Sequence, residues 1–528
     1  MVKKVFSNKY LLCAASGVLL VLPFIFSGWA ILSWVALVPF IYVFCSRRWE
    51  FKTSFWLCFV FAMSFYLPLY TWVLRLYPLD WLGFSMGQSL AMVFLFWLVM
   101  SLVQTIQMVL VLLLYQLMRP RGIGEPLVFA SLWVLLEWWQ GLAPLAFPWG
   151  RLAVSQYGVL SLIQGASLGG VLFISFLIVL VNALFAFSLQ KKKMLSAKKV
   201  YRGVFLIAIL IFAANFIYGN LQLASYKEKT AENSYNFAII QGNVASGAKW
   251  QGNQASFDIY TELMQKIKNK DVDFVVWPET AIPALVEENN EYDLIYKKIA
   301  RENEIYFCVG SFTTDEELKK YNSLLIYGPT GEVLGKYSKR NLVPVGEYLP
   351  LRSFLDRLFP LIKEINQVSE DLTPGFGPQI IETPLGQVGG LICFDSIFQN
   401  DIRHSVTKGA ELLLLLTNDS WYEDSPGVYQ HNAQAILRAV ETGRYVVRAA
   451  NTGISAIIRP TGEAVDYLEP FVTGVVVGEV SFLYDTTLYV RLGDIIVLFC
   501  IAIVLLVFLL RFKKMVFILA KGDNEKHK

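Results

Sequence analysis

Eight stretches of this chain are apolar enough, and close enough to the roughly 20 residues a bilayer requires, to cross a membrane. They lie near 10–27, 29–46, 54–76, 87–118, 126–143, 161–189, 203–220 and 492–512. This pattern limits the fold more than any other feature. Backbone in hydrocarbon must satisfy its own hydrogen bonds, so each stretch reads as a helix. Composition agrees: 55% of the 528 residues are hydrophobic and 17% are charged, against about 25% charged in an average soluble domain. Disorder, collagen and a small disulfide scaffold are excluded, and the length exceeds what one hydrophobic core supports.

The net charge of +4 hides an asymmetry. Residues 1–230 carry 18 basic against 5 acidic residues and 11 of the 14 tryptophans, whereas residues 231–490 carry 21 basic against 34 acidic. A basic, Trp-rich, apolar part followed by an acidic, ordinary part reads as a membrane domain joined to a water-soluble one. The expected division is 1–220, an N-terminal membrane domain of seven spans; 221–490, an extracytoplasmic domain; and 491–528, a last span with a cytoplasmic basic tail.

Basic residues set the orientation. With the N-terminus inside, Arg47, Arg48 and Lys52, then Arg119 and Arg121, then the 191–202 lysine cluster, then Lys513 and Lys514 all fall on the cytoplasmic side. Splitting the fourth segment in two would put the 191–202 cluster outside, so one long helix is expected there. The start, with Lys3, Lys4 and Lys9, resembles a signal-peptide n-region, but the apolar run continues past Ser27-Gly28, so an uncleaved anchor is expected. Glu137 has two readings: a functional intramembrane carboxylate, or one reaching the interface beside belt tryptophans. The glycines of Gly165-Ala-Ser-Leu-Gly169-Gly170 read as helix packing.

From about 235, short apolar runs alternate with charged helical stretches. Strands are expected at Phe237–Gln241, Phe274–Trp277, Ile305–Val309, Ser323–Tyr327, Gly389–Cys393, Leu412–Thr417 and Tyr445–Ala449. Helices are expected near 252–270, 290–302, 396–408 and 428–443. Alternating β and α with continuous apolar strands predicts an α/β domain. No phosphate-binding glycine motif follows a strand, so nucleotide binding is unsupported. No C-x-x-C pair exists, and two internal histidines are too few for a metal site. Cys308 and Cys393 are the cysteines of this domain, and nothing requires them to pair.

Three polar residues sit at strand ends, where sites gather in α/β sheets: Glu279 after Phe274-Val-Val-Trp277-Pro278, Lys339 in Tyr337-Ser-Lys339, and Cys393 closing Gly389-Gly-Leu-Ile-Cys393. A cysteine nucleophile needs a base. His404 reads as a surface residue and His431 as a packing or capping residue, which leaves a carboxylate. Glu279 can take the thiol proton, and Lys339 can stabilise the oxyanion formed on attack at a carbonyl.

Trp277-Pro278-Glu279-Thr280, Tyr337-x-Lys339-x-x-Leu342-x-Pro344-x-Gly346-Glu347 and Ile392-Cys393-Phe394-Asp395 resemble the three motifs of the nitrilase (carbon–nitrogen hydrolase) superfamily. Gln241-Gly-Asn243, Thr417-Asn418-Asp419-Ser420-Trp421 and Ala450-Asn451-Thr452-Gly453-Ile454 extend the likeness, and Phe147-Pro148-Trp149 is similar to the membrane-borne branch of that superfamily. The resemblance implies an αββα sandwich carried on about eight helical spans. It implies Cys393 as nucleophile, Glu279 as general base and Lys339 as oxyanion stabiliser. Glu347, Phe394, Asp395 and Asn418 would support the site, and Trp250 would lie on a flap near the lipid. The family often has Glu where Asp395 stands, one methylene longer.

The implied reaction moves an acyl chain from a membrane phospholipid, through a Cys393 thioester, to the α-amine of the diacylglyceryl-cysteine of an apolipoprotein. It needs no cofactor, metal or nucleic acid, and the enzyme is expected as a monomer in the cytoplasmic (inner) membrane with its catalytic domain outside the cytoplasm. The alternative is a membrane-tethered amidase or nitrilase acting on a small substrate. A transporter with an inactive sensor domain is disfavoured by the intact Glu-Lys-Cys set.

Overall fold

The computed structural model describes residues 8–79, 83–118, 124–142, 146–189, 195–226, 234–245, 253–349, 352 and 371–526. The chain divides into two compact units. One comprises Met1–Thr71, Phe96–Leu223 and Leu492–Lys528; the other comprises Trp72–Leu95 and Ala224–Arg491.

The first unit is helical, and every one of the eight apolar stretches carries helix. Among the described residues, five helices are long and apolar enough to cross a membrane: Ser27–Cys45, Phe51–Leu69, Met86–Met118, Ala166–Ser188 and Lys199–Tyr226. Lys9–Ile25 and Ile495–Arg511 are shorter apolar helices, and Glu125–Trp139 has 15 residues. The fourth stretch is a single helix, Met86–Met118.

Lys9–Ile25 packs closely on Phe51–Leu69. A Cβ at Gly17 would stand 2.5 Å from the Phe61 carbonyl oxygen, an approach only glycine permits. The apolar helix of residues 27–45 is interrupted at Leu37, and Asn182 repairs the break. Its Oδ1 accepts from the Leu37 amide (3.0 Å) and its Nδ2 donates to the Ser33 carbonyl (2.8 Å).

Two expectations are corrected here. Glu137 does not reach a surface: it is 2% exposed, and its Oε1 accepts from Trp133 Nε1 (2.9 Å) and the Leu152 amide (3.0 Å), tying a helix to the turn that follows it. Gly169 and Gly170 serve a kink rather than a packing face. Both leave the helical region, and Gly170 takes φ +74°, which favours glycine.

The second unit holds thirteen strands among its described residues. They are β1 (Ser234–Gln241), β2 (Phe274–Val276), β3 (Leu285–Val286), β4 (Tyr306–Thr314), β5 (Lys320–Tyr327), β6 (Val333–Ser338), β7 (Ile380–Thr383), β8 (Gly386–Ile392), β9 (Leu412–Thr417), β10 (Val446–Ala450), β11 (Ser455–Ile458), β12 (Ala464–Leu468) and β13 (Gly474–Ser481). One sheet runs β13-β1-β2-β4-β5-β6, with β3 paired to β4; the other runs β12-β11-β10-β9-β8-β7.

Central pairs are parallel: β1 with β2, β2 with β4, β8 with β9, and β9 with β10. The short β3 also pairs parallel with β4, and the remaining pairs are antiparallel. Buried residues of both sheets, including Phe237, Val276, Ile326, Val388, Leu414 and Val447, form one core between them. The other face of the first sheet is covered by the helices Asn253–Gln265 and Glu291–Asn303 through Tyr260, Leu263, Tyr296 and Ala300. Gln399–Thr407 and Pro426–Thr442 complete an αββα sandwich. β9 shows why the centre holds: its Leu412–Leu416 run is buried on both faces, as a parallel strand between helix and sheet requires.

Candidate active site

The loops that leave β2, β6 and β8 each deliver one polar side chain. Glu279 follows β2, Lys339 follows β6, and Cys393 follows β8. Lys339 is 1% exposed. Its Nζ donates to Glu279 Oε1 at 3.1 Å and to Glu347 Oε1 at 2.9 Å. Burial pulls the ammonium down, but the Glu279 and Glu347 carboxylates override it and hold it well above its ordinary range. Asn322, on β5, bridges the same carboxylates: its Nδ2 donates to Glu279 Oε1 (2.8 Å) and Glu347 Oε1 (2.9 Å). The backbone fixes Lys339 as well, since its amide donates to the Asn322 carbonyl at 2.8 Å. Glu347 closes its own turn, with Oε2 accepting from the Val343 amide at 2.8 Å.

Glu279 depends on a glycine across the sheet. A Cβ at Gly310 of β4 would lie 2.7 Å from Pro278 O, Glu279 Cα and Thr280 N, all backbone atoms that cannot yield.

Cys393 is buried, 7% exposed, and opens a short turn, Cys393–Ile397, with φ +49°. A non-glycine residue in the left-handed region costs about 1–3 kcal/mol and persists only where the surroundings over-determine it. Asp395 supplies part of that. Its Oδ2 accepts from the Ile392 amide (3.1 Å) and Tyr337 Oη (2.8 Å), and its Oδ1 accepts from the Asn341 amide (2.8 Å) and Nδ2 (3.0 Å). The shorter acid therefore reaches its partners, and it ties the turn after β8 to the loop after β6. Burial pushes its carboxyl up to about 6 despite those donors and Lys339.

Burial also pushes the Cys393 thiol well above its ordinary range. The Glu279 carboxylate adds to this, while Lys339 and a hydrogen bond with Thr417 oppose it. The thiol is thus held as a neutral S–H within the fields of a carboxylate and an ammonium, an arrangement suited to proton removal at the moment of attack.

The remaining sequence candidates separate. Asn418 stands just past β9, where its Oδ1 accepts from Asn451 Nδ2 at 3.0 Å. Phe394 meets Phe398 edge-on at 5.4 Å. Trp250 lies outside the described residues. His404 is exposed. All six cysteines are free, so Cys308 and Cys393 form no disulfide.

Three residues that sequence reasoning did not place in the site belong beside it: Asn322, His431 and Arg448. The sequence alone reads His431 as a packing or capping residue. It is fully buried, with Nδ1 2.8 Å from Asp419 Oδ1 and Nε2 3.2 Å from the Cys393 carbonyl oxygen. The available signal is the polar run Tyr429-Gln430-His431-Asn432 at the start of an apolar-periodic helix, but it does not say what that run faces.

The family model for carbon-nitrogen hydrolase matches residues 236–484, and the model for the apolipoprotein N-acyltransferase N-terminal domain matches residues 16–184. The chain is 34% identical over 473 residues to an apolipoprotein N-acyltransferase of Gloeobacter violaceus, covering 89% of this chain and 87% of the relative. It is 32% identical over 522 residues to that of Geobacter metallireducens, covering 96% and 95%. Against that of Vibrio cholerae it is 30% identical over 382 residues, covering 69% and 72%. A carbon–nitrogen hydrolase sandwich and an apolar helical unit, both matched and both aligned along nearly their whole length, place this chain in the apolipoprotein N-acyltransferase family.

Proposed function

We propose that this protein moves an acyl chain from a membrane phospholipid, through a thioester on Cys393, to the α-amine of the diacylglyceryl-modified N-terminal cysteine of an apolipoprotein. The observation that carries the reading is the buried Lys339 ammonium clamped between Glu279 and Glu347 beside the Cys393 thiol, in a chain of this family.

In the first step Glu279 takes the Cys393 proton as Sγ bonds to the ester carbonyl carbon. Lys339 stands where the negative charge develops on the carbonyl oxygen, and its two carboxylate partners keep it from moving. The ester C–O bond then breaks, and the glycerol oxygen leaves as lyso-phospholipid with the proton from Glu279. In the second step the lipoprotein amine attacks the thioester. The C–N bond forms, Glu279 accepts the amine proton, the C–S bond breaks and the proton returns to the Cys393 thiol. Two covalent half-reactions through one site predict ping-pong kinetics. Exclusion of water keeps the thioester from hydrolysing.

Both substrates are lipids, which gives the helical unit its purpose. In this reading residues 221–490 face outward from the cytoplasmic membrane, both termini are cytoplasmic, and the first seven spans and the last one hold the site at the bilayer surface.

The test uses detergent-purified full-length protein, phosphatidylethanolamine and a diacylglyceryl-cysteine peptide. The expected product is the peptide carrying one more acyl chain on its α-amine, with parallel double-reciprocal plots, and none from Cys393→Ala. Hydrolysis of small amides without acyl transfer would replace this reading by a tethered amidase.

A further inference from the structure

The strained backbone of Cys393 is gripped on both sides. On the N-terminal side, Asp395 Oδ2 accepts from the Ile392 amide. On the other, His431 Nε2 stands 3.2 Å from the Cys393 carbonyl oxygen and 3.1 Å from Ser396 Oγ. A carbonyl oxygen only accepts, so Nε2 is the donor in that contact.

The imidazole is itself fixed from behind. Nδ1 lies 2.8 Å from Asp419 Oδ1. That carboxylate accepts in turn from Arg448 Nη2 (2.7 Å) and Thr417 Oγ1 (2.9 Å). Arg448 is anchored to the Ile454 carbonyl through Nη1, and Tyr422 meets the His431 ring edge-on at 5.6 Å. Burial alone would raise the Asp419 carboxyl, but Arg448 and His431 hold it well below the usual carboxylate range, so it stays charged and keeps its grip. Asp419, His431 and Arg448 are fully enclosed, and Cys393 is buried. They come from the loop after β9, the helix Pro426–Thr442, β10 and the turn after β8. Three elements therefore converge, through His431, on one peptide carbonyl of the fourth, that of the residue whose backbone is strained.

We propose that His431 is the positioning residue of the nucleophile: by donating to the Cys393 carbonyl, it holds the left-handed backbone that aims Sγ at the Glu279–Lys339 pair. This rests on the role of Cys393 in the proposed function.

The probe is p-nitrophenyl butyrate, a small activated ester that tests the nucleophile without the lipid or lipoprotein sites. The burst of p-nitrophenolate gives the rate of Cys393 acylation in full-length protein. The variants are His431→Gln, whose amide nitrogen can stand near the Nε2 position, His431→Asn, which is too short, and His431→Phe, which fills the space without a donor. We expect His431→Asn and His431→Phe to acylate on the order of 10²-fold more slowly with KM unchanged, and His431→Gln to stay within about tenfold of the parent. A residue that merely filled the core would not separate Gln from Asn. If His431→Phe does not fold, the Gln and Asn pair decides. Acylation in His431→Asn within about threefold of the parent, or an equal loss in Gln and Asn, would overturn the proposal. A parent protein that is acylated by the probe but never by phospholipid would sink the proposed function and leave this inference tested on its own terms.

Discussion

Lys339 Nζ lies 3.1 Å from Glu279 Oε1 with both side chains buried, so the charge that would meet the oxyanion is held by the group that would take the thiol proton. Removing the cation leaves the buried Glu279 carboxylate and the partly buried Glu347 carboxylate as neighbours with Asn322 between them. Breaking a buried pair costs about 3–5 kcal/mol. Lys339→Met should therefore lose acyl transfer and melt well below the parent in detergent. A variant melting within a degree or two of the parent would show that the clamp contributes little to the fold.

Glu279 acts on the thiol in two opposing ways, and one variant separates them. Burial raises the Cys393 thiol above its ordinary range and the negative charge of Glu279 adds to this, so the S–H form dominates at neutral pH. Iodoacetamide alkylation of Cys393 should climb about tenfold per pH unit through pH 9 with no plateau. In Glu279→Gln the repulsion is gone, the thiol titrates lower, and alkylation at a fixed pH should quicken. Acyl transfer in the same variant should fall by about 10²–10⁴-fold, because the base is gone. Rates that moved together would refute the assignment of Glu279 as base.

Gly310 has no room for a methyl group, because the backbone from Pro278 to Thr280 passes directly over it. Gly310→Ala should displace Glu279 and slow acyl transfer by on the order of 10²-fold. The overpacking should cost about 1–3 kcal/mol. Normal kinetics in a stably folded Gly310→Ala would mean that the position of Glu279 is not critical.

Asp395 sits among four donors at hydrogen-bonding distance in a fully buried site. Asp395→Glu adds a methylene, which here must push against Tyr337 and Asn341. The expected cost is about 1–3 kcal/mol, with slower transfer from a displaced Cys393 turn. An unchanged melting temperature would indicate that the pocket accepts either acid.

Sequence reading reached the residues whose surroundings are local. Glu279, Lys339 and Cys393 each lie just past a strand end, and with Glu347 they carry the motif resemblance; the sandwich brings Glu279, Lys339 and Glu347 within hydrogen-bonding distance. Asn322 was out of reach because it lies mid-strand in β5, and only the pairing of β5 with its neighbours turns it toward Glu279. His431 and Arg448 owe their place to contacts 38 residues and 29 residues away along the chain, with Cys393 and Asp419 respectively. β3, β6, β7, β11, β12 and β13 escape the hydropathy pattern for a different reason. They are short or half-exposed strands, without the continuous apolar run that marks β9. In the helical unit, apolar length located the helices but not the break at Leu37 or the kink at Gly169-Gly170. Those depend on Asn182 and on a positive φ, not on hydropathy.

The central claim is a thioester on Cys393 formed from phospholipid. Intact-protein mass spectrometry of the full-length enzyme after incubation with phosphatidylethanolamine alone tests it most directly. The account predicts a mass gain of one fatty acyl group, lost on hydroxylamine treatment and absent from Cys393→Ala. No adduct, on a protein whose Cys393 still reacts with iodoacetamide, would contradict it.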